Sequence, residues 1–195
     1  MKIVENLIPK AWQQDLFVSI SKLPYIYLPA TAVIDGDRFQ HGVDYFLDEN
    51  TVDTVQFTHV SDYGTTSYKD LRPLVYMLQE HLDKKIISTF RIKTNCLVQN
   101  VNFGMNNYNI AHTDSSIPSR NFISVLYYVN DSDGDTFFFN EDCKNKFDKL
   151  TVCNRVKPEM GKVVIFPSTQ FHASSNPINS LSRFVVNFMI EVEND

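Results

Sequence analysis

Two imidazoles and one carboxylate are placed where they could do chemistry. His112 and Asp114 lie two apart in "NIAHTDSSIPSR", and His172 follows the apolar run "KVVIFP" within "STQFHASSN". Side chains two apart on an extended chain point the same way, so His112 and Asp114 face one cavity, about 7 Å apart at Cα. Two imidazoles and a carboxylate on one face of a divalent cation suit Fe(II), and three positions stay open for small molecules. A His-x-Asp pair alone also fits a turn or a surface hydrogen bond. Arg183 strengthens the functional reading. It stands eleven residues after His172, at the head of "RFVVNFMIE". Strand alternation puts Arg183, Val185, Asn187 and Met189 on one face, with Phe184, Val186, Phe188 and Ile190 on the other. A guanidinium inside a β barrel must be paired, and it suits bidentate capture of a carboxylate. The alternative is an internal ion pair with one of the chain's own acids.

These residues need strands to hold them, and the second half of the chain supplies the pattern. From about residue 90, "FRIKTNCLV", "NFISVLYYV", "DTFFFN", "KVVIFP" and "RFVVNFMIE" are short, rich in β-branched and aromatic residues, and separated by turn formers. Before them come two helical patterns. Trp12, Leu16, Ile20 and Leu23 recur at helical spacing after Pro9. Leu71, Leu74, Val75, Leu78 and Leu82 share a second face, with Ser67 and Asp70 as a capping pair and Pro73 as a start or bend. Helices followed by many strands predict an α+β, mainly β fold: a double-stranded β-helix (jelly-roll, cupin-like) with N-terminal helices packed on one sheet. We expect one domain over 1–195, with 1–89 as helical support and pocket mouth and 90–195 as the jelly-roll core.

Composition narrows the function classes. The chain has 195 residues, 43% apolar and 21% charged, with fifteen Phe and nine Tyr against six Gly. That is the balance of a globular, aromatic-packed protein. A net charge of -5 and scattered basic residues offer no footprint for nucleic acid. No run of ~18 apolar residues is present, so neither a membrane span nor a signal peptide is expected. Cys96, Cys143 and Cys153 show no Cys-x-x-Cys spacing and leave an odd count, which fits reduced thiols and a cytoplasmic location. Oligomeric state leaves no mark in the sequence.

The order His-x-Asp, distal His, then Arg resembles the 2-oxoglutarate- and Fe(II)-dependent oxygenases, and most of all their prolyl-4-hydroxylase-like branch. The likeness covers roughly residues 95–191. "RNFISVLYYVND" resembles the family strand ending in Tyr-Leu-Asn, and "DGDTFFFNED" its Gly-Gly-x-x-x-Phe stretch, with Asp133 or Asp135 in place of one glycine. "VKPEMGKVVIFPSTQFHAS" resembles the Pro-x-x-Gly segment leading to the distal His. The resemblance implies that His112, Asp114 and His172 hold Fe(II). It also implies that Arg183 binds the distal carboxylate of 2-oxoglutarate, that the Tyr128 hydroxyl assists, and that Asn187 is a small polar helper. For Asn187, a buried amide satisfied by neighbouring backbone is an equal alternative. The implied cosubstrates are 2-oxoglutarate and O2, with ascorbate or another reductant. The implied reaction hydroxylates an unactivated C–H, on a peptidyl-proline or a small free molecule, and releases succinate and CO2. Retention of Asp114 points to hydroxylation rather than halogenation. Met189 stands where the nucleic-acid demethylases of the superfamily carry a second arginine.

Other residues carry weaker expectations. His81 reads as part of a solvated helix face. His41 and His59 flank the expected pocket mouth, where packing or surface roles outweigh substrate contact. Tyr108 lies close before the triad. Residues 115–120 form either a lid or a plain connector. Two other functional classes compete: a catalytically silent jelly-roll module, and a Zn or Mn cupin with isomerase or lyase chemistry, which has no need of Arg183.

Overall fold

The computed structural model describes residues 1–32, 44–115, 117, 120–143 and 147–194. Two antiparallel sheets face each other. Chain order runs β1 (Lys2–Val4), α1 (Lys10–Ile20), β2 (Ile26–Leu28), β3 (Tyr45–Phe46), β4 (Gln56–Val60), α2 (Thr66–Gln79), β5 (Ile86–Val98), β6 (Ala111–His112), β7 (Phe122–Tyr128), β8 (Thr136–Asp142), β9 (Val152–Val156), β10 (Val163–Pro167), β11 (Gln170–Ser174) and β12 (Ser182–Val192). The larger sheet has seven strands ordered β1-β10-β7-β12-β5-β4-β2, and the smaller has five ordered β3-β6-β11-β8-β9. This is the predicted mainly β double-sheet fold.

Alternation sorts the side chains into three apolar layers. The outer face of the large sheet presents Val125, Tyr127, Val163, Ile165, Val186, Phe188 and Ile190 to Leu16 and Ile20 of α1 and Leu71, Leu74 and Leu78 of α2. The space between the sheets holds Leu126, Tyr128, Phe138, Val164, Phe166 and Val185. A third cluster of Tyr108, Phe137, Phe139 and Phe171 covers the outer face of the small sheet. Both helices therefore lie on one sheet, as the sequence predicts, and the site lies between the sheets.

The local chemistry departs from expectation at both helices. The N-cap of α2 is Thr65, whose hydroxyl accepts from the Tyr68 N–H at 3.2 Å. Ser67 serves elsewhere: its hydroxyl donates to His59 Nε2 at 2.9 Å, while His59 Nδ1 donates to the Pro24 carbonyl at 3.1 Å. His59 thus ties α2 to the segment before β2. Pro73 sits inside α2 and neither starts nor ends it. The helix stops at Gln79, so His81 lies just past it and half-buried rather than on a solvated helix face. On α1, Gln13 is buried because its Nε2 donates to the Ile8 carbonyl at 2.7 Å. Between the helices, the part of the chain expected to give only helical support and pocket mouth contributes β3 to the smaller sheet and β4 to the larger.

Candidate active site

β6 is two residues long, yet it sets the site. It pairs with β11 so that His112 and His172 are direct register partners, and with β3 so that Tyr45 lies opposite His112. The two rings are 4.7 Å apart between centroids. Asp114 follows two residues later, held by the Asp114 N–H donating to the Ser168 carbonyl at 3.0 Å. One donor atom each from His112, Asp114 and His172 falls within a 4.8 Å cluster. His172 Nε2 lies 3.7 Å from Asp114 Oδ2.

Each imidazole is fixed in one tautomer. His112 Nδ1 approaches the Ile110 carbonyl at 3.0 Å, and His172 Nδ1 the Gln170 carbonyl at 3.2 Å. A carbonyl only accepts, so both Nδ1 atoms carry the proton and both Nε2 lone pairs stay available to a metal. Phe138 stacks on His172 with centroids 6.4 Å apart, and the Phe166 ring meets it edge-on at 4.8 Å. Burial, then the neighbouring His172, pushes the His112 pKa down to about 4, which keeps the imidazole neutral at physiological pH.

Asp114 is gripped from three sides. Arg91 Nη2 donates to Oδ1 at 2.9 Å, and Asn187 Nδ2 lies 3.1 Å from both carboxylate oxygens. The Ser124 hydroxyl donates to Oδ2. Burial alone would raise this carboxyl's pKa. The facing His172, the Arg91 guanidinium, His112 and the Ser124 hydroxyl outweigh burial and hold it well below the usual carboxylate range. The amide of Asn187 is therefore spent on the carboxylate, a side chain rather than the backbone. Its Oδ1 is buried with no partner among the described residues.

A cavity of about 110 Å³ runs from the triad towards Arg183, and Arg91, Lys93, Thr136, Val185 and Asn187 line it. Arg183 is 4% exposed. Its Nε donates to the Gly134 carbonyl at 2.7 Å, and Nη2 donates to the Thr136 hydroxyl at 2.7 Å. No acid pairs with it directly among the described residues, contrary to an internal ion pair. A Cβ on Gly134 would come within 2.5 Å of the Ser175 carbonyl oxygen and 2.9 Å of Pro177 N, so only glycine fits at the carbonyl that holds Arg183. Asp133 caps the 179–180 backbone and Asp135 pairs with Arg155 at 3.0 Å, so neither acid enters the cavity.

Tyr128 is fully buried, and its hydroxyl donates to the Thr136 hydroxyl at 2.7 Å. It stands behind Thr136 rather than at the cavity wall, and burial pushes its pKa up to about 12. Thr136 accepts from both Tyr128 and Arg183, leaving its own proton for a ligand. Tyr108 packs on the outer face of the small sheet and donates to Asp48, away from the cavity. His41 lies outside the described residues. So do three of the six residues at 115–120, where Arg120 stacks 4.5 Å from the Phe122 centroid and pairs with Glu191. The residues missed from the sequence are Arg91, Lys93, Ser124 and Thr136. For Arg91 and Lys93 the signal lies in "RIKTN", where polar groups recur at 91, 93 and 95 of one strand.

A sequence model of the 2OG-Fe(II) oxygenase superfamily matches residues 98–191. Residues 98–191 therefore form a domain of that superfamily. Such a domain marks an oxygenase, and the family's cofactors are Fe(II), 2-oxoglutarate and O2. Among solved structures, a prolyl-4-hydroxylase from Pseudomonas putida is similar at 13% identity and TM-score 0.57, over 98% of this chain and 92% of that one. The viral collagen prolyl hydroxylase of Paramecium Bursaria Chlorella virus-1, solved with 2-oxoglutarate, gives 10% identity and 0.54, over 98% and 96%. HygX from Streptomyces hygroscopicus, solved with nickel and 2-oxoglutarate, gives 8% and 0.62, over 97% and 81%. At these identities the likenesses show a shared fold. No curated protein sequence matches. No helix among the described residues is long and apolar enough to cross a membrane.

Proposed function

We propose that this oxygenase hydroxylates an unactivated C–H bond, with His112, Asp114 and His172 as the iron ligands and Arg183 as the anchor of the 2-oxoglutarate side chain. The observation that carries the reading is the convergence of three donor atoms within 4.8 Å, two of them imidazole nitrogens freed by Nδ1–carbonyl bonds. The donor set fits Fe(II): two neutral nitrogens and one anionic oxygen, with one side open to the cavity. Bound iron with 2-oxoglutarate and O2 supplies the oxidising power, releasing succinate and CO2 as the C–H becomes C–OH. The chain supplies everything around it. Arg183 and the Thr136 proton bind the far carboxylate, with Tyr128 holding Thr136 from behind. Leu126, Phe138, Phe166 and Val185 keep water from the buried end, where each charged contact is stronger.

Asn187 and Ser124 are positioning residues. They orient Asp114 so that a carboxylate oxygen sits beside the donor nitrogens of the two imidazoles. Replacing Asp114 or His172 with Ala should abolish Mn(II) binding by calorimetry and Fe(II)-dependent succinate release together. Arg183→Ala should raise the Kd for 2-oxoglutarate at least tenfold while Mn(II) affinity changes less than threefold. Equal losses of both affinities in the arginine variant would overturn the assignment and make Arg183 structural. A peptidyl-proline and a small free molecule are both compatible with this chemistry.

A further inference from the structure

β5 lies between β12 and β4 in the large sheet, and its inward face carries Arg91, Lys93 and Asn95. A buried central strand ordinarily fills such positions with apolar groups. The register fixes where these cations stand. Arg183 pairs with Leu97 and Met189 pairs with Arg91, so the two arginines occupy opposite ends of the same inner face. Asn187, between them, pairs with Lys93 and holds Asp114. The metal-ligand cluster therefore divides the cavity into two cationic ends. Arg183 is enclosed, whereas the Arg91 side chain is 22% exposed and reaches the open side.

Arg91 is incompletely used by the protein. Its Nη2 donates to Asp114, and its Nε is buried with no hydrogen-bond partner among the described residues. A buried unmet donor is destabilising, and an acceptor from a ligand would relieve it. The guanidinium also sits against the one carboxylate that the iron needs, where its charge opposes that of the metal. A partly exposed guanidinium that lines the cavity and keeps an unmet Nε donor suits a carboxylate.

We propose that Arg91 is a specificity residue that binds a carboxylate on the primary substrate, so that the substrate is a free organic acid oxidised close to its acid group. The inference rests on the iron and 2-oxoglutarate reading above. It assigns one anion to each end: 2-oxoglutarate at Arg183 and the substrate at Arg91.

The test uses full-length protein loaded with Mn(II) and saturated with 2-oxoglutarate, without O2. N-acetyl-L-leucine and N-acetyl-L-proline are titrated by ligand-observed NMR against their carboxamides, which differ only at the acid group. The acids should bind at least tenfold tighter than the amides. That preference should vanish in Arg91→Gln and return in part in Arg91→Lys, which keeps the charge and loses the fork. Absence of a preference in the wild type overturns the proposal, as does its survival in Arg91→Gln. It also fails if the acids simply displace 2-oxoglutarate, or if a proline-repeat peptide binds tighter than both acids. Failure of the underlying reading is separable, because wild-type protein would then bind neither Mn(II) nor 2-oxoglutarate in the same samples.

Discussion

The two faces of the seven-stranded sheet are built from the same strands and do opposite things. On β12, Val186, Phe188 and Ile190 face the helices, all 0% exposed, among aliphatic neighbours. One residue out of phase, Arg183 and Asn187 face the cavity, where hydrogen bonds hold Asp114 and Thr136. β7 repeats the division, with Val125 and Tyr127 outward and Ser124 inward. Alternation thus separates stability from chemistry by one peptide unit. The outer face is close-packed and holds the fold together. The inner face spends burial on polar groups, each of which must be paired.

Adjacent residues should therefore break in different ways, and the largest contrast is at 187 and 188. Phe188→Ala removes a fully buried ring from the helix-facing layer and should destabilise the protein by about 3–5 kcal/mol, seen as a lower denaturant midpoint. Molecules that remain folded should bind Mn(II) with unchanged affinity. Asn187→Ala should lower stability by about 1 kcal/mol or less, since it removes bonds to Asp114 but also an unpartnered buried carbonyl. Its Mn(II) affinity should fall roughly tenfold, as for other groups that orient a metal ligand. A large loss of stability in Asn187→Ala would collapse the distinction between the faces.

Between pH 6.5 and about 5, above the range of the chain's carboxylates, acid should act through the cavity. The folded pKa of His112 is depressed to about 4 by burial and by His172, below the ordinary 6.5 of an unfolded chain. The unfolded state then binds the extra proton, so metal-free protein loses stability as pH falls from 6.5 towards 4. The slope should approach ~1.4 kcal/mol per pH unit. Saturating Mn(II) should flatten this slope, and so should His112→Gln. A slope unchanged in that variant would place the acid-sensitive group elsewhere.

The chain's sequence exposed these faces unevenly. The alternation of β12 is continuous over eleven residues, so its inward set could be read directly. The strands β7, β8 and β10 were equally legible because each holds a run of apolar residues. β6 was not, since a two-residue strand has no period, and β11 was not because its five residues, Gln170–Ser174, mix polar and apolar types. The pairing of His112 with His172 is instead created by register across the small sheet. Arg91 and Lys93 escaped notice because the apolar half of "FRIKTNCLV" marks a strand and draws the eye from the polar half. Thr136 looked like an ordinary strand residue, and its role emerged only when the Tyr128 hydroxyl and the Arg183 fork met on one oxygen.

That shared oxygen gives the finest test of what the inner face does. Thr136→Val keeps the shape and removes the acceptor, leaving Tyr128 and one Arg183 nitrogen unpaired in a buried place. Stability should fall by about 1–3 kcal/mol, and 2-oxoglutarate should bind roughly tenfold more weakly because the arginine loses its brace. Tyr128→Phe removes one donor to an oxygen that Arg183 still occupies, so the loss should be about 1 kcal/mol. Its 2-oxoglutarate Kd should rise less than threefold, because the tyrosine hydroxyl stands behind Thr136 rather than on the ligand. Calorimetry on the two variants ranks the residues directly. If Tyr128→Phe weakens 2-oxoglutarate as much as Thr136→Val does, the hydroxyl must reach the carboxylate itself, and the side chains around Arg183 must rearrange when the cosubstrate enters.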